Sequence, residues 1–132
     1  MPEPAPTAWP CLSYDDARAA IAFLVDALGF EATAVYGEDP DGVVHHAELR
    51  WPLGGGVMLG STSTSSLPIP AGTGAVYLVT DDPDAALARA LAAGAEVVRD
   101  IRDEDFGSRD FIVRDPQGVH WSLGTYRGHA GD

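Results

Sequence analysis

Two stretches of this chain repeat one another, and the repeat limits the folds that the chain can adopt. Residues 15–22 (DDARAAIA) align with residues 81–88 (DDPDAALA), and residues 29–31 (GFE) align with residues 94–96 (GAE). Around each stretch the residue pattern predicts a strand, an aspartate-capped helix and three more strands. A repeated supersecondary unit outranks local assignments when a fold is predicted. The chain is therefore predicted to be an α+β protein of tandem βαβββ modules, unless the two alanine-rich helices resemble each other by chance.

The repeat divides the chain into five predicted segments that together form one structural domain. Residues 8–60 are the first βαβββ module and residues 75–126 are the second. Residues 61–74 (STSTSSLPIPAGTG) are rich in Ser, Thr, Pro and Gly, which is typical of a flexible linker. Residues 1–7 are predicted to be a disordered leader, and residues 127–132 a frayed tail.

The end of the second module shows how the two faces of a sheet are assigned. Residues 111–113 (FIV) are strand formers, and residues 115–118 (DPQG) supply turn chemistry. In the strand that follows, Val119, Trp121 and Leu123 alternate with smaller or polar residues. Because side chains alternate across a strand, this pattern predicts a hairpin with one buried face. What the other face contacts is the functional question.

Composition excludes several classes of function. The formal net charge of −12 argues against nucleic acids and anionic membranes, because both partners attract clustered lysine and arginine. The single cysteine, Cys11, excludes an intrachain disulfide and suits a reducing compartment. The first ten residues lack the apolar segment of a signal peptide, and no apolar run reaches the ~20 residues of a spanning helix. A cytoplasmic protein is predicted.

Two short motifs lie at element boundaries of the duplicated pattern, one in each module. LGF at residues 28–30 ends the first helix, and DPQG at residues 115–118 precedes the last strand. Over residues 8–126 the chain resembles the vicinal oxygen chelate superfamily, which includes glyoxalase I, extradiol dioxygenases, fosfomycin-resistance transferases and bleomycin-binding proteins. It is most similar to glyoxalase/bleomycin-resistance-like proteins of the PhnB type. The resemblance implies that mixed sheets curl into cups, and that two cups enclose a cavity with a homodimer partner contributing.

The resemblance also implies four positions for metal ligands, which metal-binding members fill with His, Gln or Glu. These positions fall on Trp9, on or next to Leu59, on Ala75 and on Ser122. None of these side chains is a strong ligand, whereas an open divalent site needs about three or four converging N, O or S donors. No cofactor is therefore expected, and a divalent metal is disfavoured. Glyoxalase I activity and extradiol dioxygenation depend on such an ion and are disfavoured with it.

Several side chains are predicted to contact a small-molecule ligand. Trp9 would stack on a flat ligand, or would fill the space that a metal leaves. Tyr77 shares the inward direction of Ala75, or packs in the core. Arg109 would pair with an anionic ligand group, or with one of the many acidic residues. The full set of predicted binding residues is Trp9, His46, Met58, Tyr77, Arg109, Phe111, Ser122 and Tyr126.

A polar strand face provides the candidate catalytic groups. His46, Glu48 and Arg50 alternate with apolar residues, so they share one face of a strand. His46, Glu48 and His120 could form a relocated metal or acid–base site, because a histidine beside a carboxylate can act as a general base. The alternative is that this face is simply solvated.

Three functional hypotheses follow from these residues. The preferred one is a metal-free protein that sequesters a small aromatic or hydrophobic antibiotic or metabolite in a dimeric cavity. The second is an enzyme: a metal-dependent lyase or dioxygenase with displaced ligands, or a metal-free isomerase that uses His46 or His120 as its base. The third is a structural or regulatory dimer whose cups are filled by their own side chains.

Overall fold

The computed structural model describes residues 6–37 and 40–129, and it confirms the predicted fold class. Residues 1–5 of the predicted disordered leader and residues 130–132 of the predicted tail lie outside the described residues. The first module consists of β1 (Cys11–Tyr14), α1 (Ala17–Phe23), β2 (Glu31–Tyr36), β3 (His46–Arg50) and β4 (Gly56–Ser61). The second consists of β5 (Ala75–Val79), α2 (Pro83–Ala92), β6 (Glu96–Asp103), β7 (Arg109–Arg114) and β8 (His120–Gly124).

The two modules have the same sheet topology. The strand order is β1-β4-β3-β2 in the first sheet and β5-β8-β7-β6 in the second, so corresponding strands occupy corresponding places. In each sheet the first strand runs parallel to its neighbour and the other pairs are antiparallel. No helix in the part of the chain that the structure describes is long and apolar enough to cross a membrane.

Aspartate caps begin both helices, as the repeat predicts. The side chain of Asp16 accepts a hydrogen bond from the Ala19 backbone N–H, and that of Asp82 accepts one from Ala85. The first helix differs from the prediction at its end, because residues Leu24–Leu28 form a π-helical turn instead of a continued α-helix. The backbone N–H of Gly29 donates to the oxygens of Leu24 and Val25 at the end of this turn. Gly29 has a φ of 96°, which few other residues adopt.

Each sheet packs one face against the helices. In β8 the side chains of Trp121 and Leu123 are fully buried, and Ala47 and Leu49 of β3 are buried in the same way. The predicted alternation is therefore confirmed in both modules. We call the opposite face of each sheet its open face. The first open face carries Cys11, Ser13, His46, Glu48, Met58 and Gly60, and the second carries Ala75, Tyr77, Asp110, Ile112, His120 and Ser122.

The buried sides of the two modules share one aromatic cluster. The ring of Phe30, just after α1, lies 5.0 Å from that of Trp51 and 5.6 Å from that of Trp121, measured between centroids. The Trp51 indole N–H donates to the backbone oxygen of Val79 at 2.9 Å. The duplicated units therefore form a single hydrophobic core, as one structural domain requires.

A buried carboxylate, Asp115, connects the modules through hydrogen bonds. Its Oδ2 accepts from the Tyr14 hydroxyl at 2.7 Å and from the Trp121 indole at 3.0 Å. Its Oδ1 accepts from the backbone N–H groups of Gln117, Gly118 and Val119 at 3.0, 2.9 and 3.1 Å. Burial, together with this carboxylate, raises the pKa of Tyr14 far above its ordinary value, so the phenol stays protonated.

We expect Asp115→Asn to destabilise the fold by roughly 2–3 kcal/mol, because an amide group in place of Oδ2 leaves the buried Trp121 N–H without an acceptor. Urea unfolding at neutral pH measures this loss. Asp105→Asn, in an exposed turn, is the matched control and should leave the unfolding midpoint unchanged. Equal midpoints for the two variants would show that the carboxylate does not hold the modules together.

Stability should also fall at alkaline pH because of Tyr14. Above the model-peptide value of 10.0 the unfolded chain releases this phenolic proton while the folded chain retains it, so unfolding becomes more favourable as pH rises. Tyr14→Phe should be less stable than the unmodified protein near neutral pH. Between about pH 10 and 11 its free energy of unfolding should fall less than that of the unmodified protein, by up to about 1.4 kcal/mol. Urea unfolding across this range tests the difference, with Tyr126→Phe as the surface control.

Candidate functional site

The first open face contains a cleft of about 220 Å³. Strand register places Cys11 beside Met58, and Met58 beside Glu48, in a row across β1, β4 and β3. Ser13 lies beside Gly60 in the next row, and His46 begins β3 on the same face. A Cβ at Gly60 would lie 2.8 Å from the backbone oxygen of His45, so a side chain does not fit there. Residues 64–67 form the opposite wall of the cleft. The cleft is lined by a thiol, a thioether, an imidazole and hydroxyl groups.

An imidazole–carboxylate pair lies on this face. Nε2 of His46 is 2.9 Å from Oε2 of Glu48, and both side chains remain partly exposed. The ring of Tyr36 stacks on the His46 imidazole, with 6.1 Å between centroids and 13° between planes. Arg50 lies on the same face of β3 but is exposed at the strand end. A carboxylate that orients a histidine is the arrangement that proton transfer requires.

Tyr77 lies on the second open face. The Tyr77 hydroxyl donates to the backbone oxygen of Tyr126 at 2.7 Å, and partial burial raises the pKa of this phenol. A Cβ at Gly124 would lie 2.6 Å from Cβ of Asp110 and 2.9 Å from the Tyr77 hydroxyl. Glycine at this position therefore makes room for both side chains. Ser122 lies beside Tyr77 across the β5–β8 pair.

The floor of this face contains a paired charge. Asp110 is buried and forms a short hydrogen-bonded ion pair with Arg99. Glu104 also lies near the guanidinium, at 3.7 Å. Because a buried charge is costly unless it is paired, this arrangement leaves the face polar but locally neutralised.

An exposed aromatic pair lies at the rim of the second open face. The rings of Phe106 and Tyr126 meet edge to face, with centroids 5.5 Å apart. Their side chains are 65% and 47% exposed, respectively. With Tyr77, which holds Tyr126 through its hydrogen bond, they form the aromatic rim. Sequence reasoning missed Phe106, although a large aromatic residue within an acidic, glycine-containing turn is itself a signal of a binding surface.

Arg109 is committed to carboxylates of its own chain. Its guanidinium forms two hydrogen bonds of 2.9 Å to Asp84 and lies 3.3 Å from Asp103. The hydrogen bonds to Asp84 and Asp103 raise the pKa of Arg109, and the bond to Arg109 lowers that of Asp84. Of the two predicted roles, the structure therefore shows Arg109 paired with acidic residues of its own chain.

One other predicted position, Phe111, needs correction. Phe111 is 0% exposed and faces the helices, because its parity along β7 places it on the buried side. It therefore does not lie on the second open face. Leu59 is buried in the same core, so the open-face residue of β4 at this position is Met58. Trp9 lies before β1, where its indole donates to Pro6 and its ring approaches Gly56.

The predicted grouping of His46, Glu48 and His120 is wrong for a single chain. His46 and Glu48 meet on β3, whereas His120 begins β8 in the other sheet, opposite Ala75 and Arg114. Among residues 6–37 and 40–129 no three His, Cys, Asp or Glu side chains come together as a metal site. His120 does not join the pair because it lies on the second sheet, whereas His46 and Glu48 lie on the first.

The donor set at the four family ligand positions does not fit a divalent ion. The residues there are Trp9, Met58, Ala75 and Ser122, which present an indole, a thioether, a methyl group and a hydroxyl. Divalent cations in protein sites bind mainly to carboxylate, imidazole or thiolate donors, and none of these four residues supplies one. No chemical step is therefore derived through a metal at these positions.

Known proteins share this architecture. Residues 7–123 match the sequence profile of the Glyoxalase/Bleomycin resistance protein/Dioxygenase superfamily. An uncharacterised protein of Mycobacterium bovis is 38% identical over 90% of this chain and 82% of its own length.

Solved structures agree with the profile. TioX from Micromonospora sp. ML1 is 30% identical, with a TM-score of 0.73 over 89% of this chain and 97% of that protein. A superfamily member from Sphaerobacter thermophilus has a TM-score of 0.70 at 23% identity, covering 90% of this chain and 97% of its own, which shows the shared fold alone. The duplicated modules, their matching sheet orders and the profile match lead to one conclusion: the chain belongs to the Glyoxalase/Bleomycin resistance protein/Dioxygenase superfamily.

Proposed function

We propose that this protein binds and sequesters a small aromatic or hydrophobic molecule, an antibiotic or a metabolite, without a metal ion. The observation that carries this proposal is the aromatic rim of Phe106, Tyr126 and Tyr77 beside the second open face. Exposed aromatic rings that touch one another are unusual on a protein surface unless they contact a partner or ligand. Such rings bind flat organic groups by stacking and by burial of apolar area.

Charge around the rim favours a cationic ligand. The turn that carries Phe106 also carries the exposed Asp105, and the whole chain has a formal net charge of −12. A surface of one sign raises the local concentration of ligands of the opposite sign. A planar aromatic cation therefore combines stacking on the rim with electrostatic attraction.

The cleft on the first open face supplies a second, smaller contact region. Its volume of about 220 Å³ is below the roughly 300–1,000 Å³ of pockets that enclose drug-sized ligands. Met58 offers an adaptable apolar contact there, and His46 a polar anchor. The first open face is thus not filled by its own side chains, which argues against a purely structural role.

A homodimer is part of the same proposal. Side chains of both open faces, such as His46 and Tyr77, remain partly exposed in one chain. A second copy laid over them would enclose a larger cavity than either face provides. Burial of the exposed Tyr36 and Phe106 rings would contribute to such an association. Assignment to the PhnB-type subgroup and to the cytoplasm belongs to this proposal as well.

The double variant Phe106→Ala/Tyr126→Ala should weaken the binding of planar aromatic cations about tenfold or more, because each lost ring contact is worth about 1 kcal/mol. Fluorescence titration with 1-methylquinolinium as the first probe, followed by a panel of aromatic antibiotics, gives the dissociation constants.

Leu91→Ala is the matched control for this experiment, because it removes an exposed apolar side chain from α2, away from the open faces. Its dissociation constants should equal those of the unmodified protein. Loss of affinity in both variants, or in neither, would contradict an aromatic binding surface at the rim.

The His46–Glu48 pair favours a second candidate function, a metal-free isomerase. The carboxylate lies 2.9 Å from the imidazole, so it can orient the ring and stabilise the imidazolium that forms when His46 takes a proton. The chemistry suited to one such base is removal and return of a proton beside a carbonyl group. The substrate would lie in the cleft lined by His46 and Met58.

If this second function holds, the protein should catalyse exchange of a carbon-bound proton for deuterium in a panel of 2-hydroxy and 2-oxo acids in heavy water. His46→Gln should abolish the exchange, and Glu48→Gln should lower it by about 100-fold, within the usual contribution of acid–base catalysis. NMR of the substrates follows the exchange. No exchange by the unmodified protein, with aromatic binding intact, would leave the sequestration function alone.

A further inference from the structure

We propose that residues 62–71, which join the two modules, form a movable wall of the cleft on the first open face and select the ligands that enter it. We call this segment the strap. The inference deepens the proposed binding function and rests on it for the identity of the ligand. Its composition predicted only a flexible linker between modules, whereas the structure places part of it across a cavity.

The strap supplies one side of the cleft. Residues 64–67 line the cavity on one side, and Cys11, Met58 and His46 line it on the sheet side. A short 3-10 turn, Thr62–Thr64, directs the chain from the end of β4 over the open face. Cys11 remains exposed, whereas Ser13, whose hydroxyl is 3.5 Å from that of Ser65, is buried. Access to Ser13 and the space around it therefore depends on where the strap lies.

Both ends of the strap are firmly attached. The buried Ser61 accepts a hydrogen bond from the Val44 N–H through its hydroxyl, and its own N–H donates to the Val44 oxygen, both at 2.8 Å. At the other end Gly72 donates to the backbone oxygen of Ser13 at 3.0 Å. A Cβ at Gly72 would lie 1.9 Å from the backbone oxygen of Gln117, so only glycine fits there.

Between these ends few contacts hold the strap to the sheet. The Thr62 hydroxyl donates to Oδ1 of Asp15 at 2.8 Å, and the hydroxyls of Ser13 and Ser65 are 3.5 Å apart. A net gain of about 1 kcal/mol is typical of one such exposed hydrogen bond. A segment with fixed ends and few attachments in the middle opens locally at low cost in free energy.

Leu67 is the residue through which the strap would select ligands. It lines the cleft, yet its side chain is 43% exposed, as is that of the nearby Ile69. Apolar side chains left half in water gain free energy when a hydrophobic ligand covers them. The strap would therefore close on apolar ligands and would remain loosely held without them.

Cys11 reports on the strap without any ligand, because it is the only cysteine of the chain and, although exposed, it lines the cleft together with residues 64–67. The position of the strap therefore sets the room for a bulky reagent at this thiol. The rate of its alkylation by bulky fluorescein-5-maleimide is compared with the rate for small iodoacetamide. Thr62→Ala/Ser65→Ala, which removes both attachments, should raise the ratio of the two rates about fivefold, since each lost bond is worth about 1 kcal/mol at most. Thr73→Ala, which removes a hydroxyl that bonds within its own segment to Pro70, is the matched control. An unchanged ratio in the double variant would overturn the movable wall.

A reversible cross-link tests the link to binding. Ser13→Cys/Ser65→Cys in a Cys11→Ser background places two thiols where the hydroxyls are 3.5 Å apart. The oxidised form should bind Nile red with an association rate at least about tenfold lower than that of the reduced form. The reason is that a cross-linked strap cannot move away from the sheet to admit the dye. Equal rates would exclude gating by the strap. If the reduced form does not bind Nile red, apolar binding in this cleft fails, while the alkylation ratio still decides whether the strap moves.

Discussion

The hydrogen bonds to the Asp115 carboxylate are the contacts on which the relation between the two modules depends. One oxygen closes the β7–β8 turn through three backbone N–H groups, and the other joins Tyr14 of the first module to Trp121 of the second. All five donors converge on a buried group, where an unmade hydrogen bond is costly. The turn geometry and the position of β1 are therefore set together. The Phe30 ring, packed against Trp51 and Trp121, fills the same junction from the side of the helices.

Because the helices and the shared core occupy one face of each sheet, the other faces are left for function. The two open faces differ in chemistry although they derive from the same repeat. The first carries Met58 and the His46–Glu48 pair around a cleft, and the second carries the Arg99–Asp110 pair below an aromatic rim. Each face requires a glycine, because a Cβ at Gly60 would lie 2.8 Å from the backbone oxygen of His45, and a Cβ at Gly124 would lie 2.6 Å from Cβ of Asp110. Duplication thus supplied the scaffold, and divergence of the open-face residues supplied two different surfaces.

The acidic character of the chain is distributed between structure and surface. Asp16 and Asp82 cap helices, Asp115 is buried at the junction, and Asp84 holds Arg109. These carboxylates already have partners, so their charge serves the fold. The acidic turn around Phe106 lies at the surface, where its field acts on whatever approaches the aromatic rim.

Sequence alone determined the duplicated fold, the presence of an aspartate cap on each helix, and the faces of β3 and β8, because these follow from local periodicity and capping chemistry. It also identified His46, Glu48, Met58, Tyr77 and Tyr126 as open-face or rim residues. Tertiary structure alone decided that Phe111 faces the core, that Arg109 is held by Asp84, and that His120 lies apart from His46. It also decided that Phe106 joins a rim and that the linker covers a cleft. The physical reason is that these outcomes depend on which distant segments meet when two sheets pack around one core, and one-dimensional periodicity carries no information about such meetings.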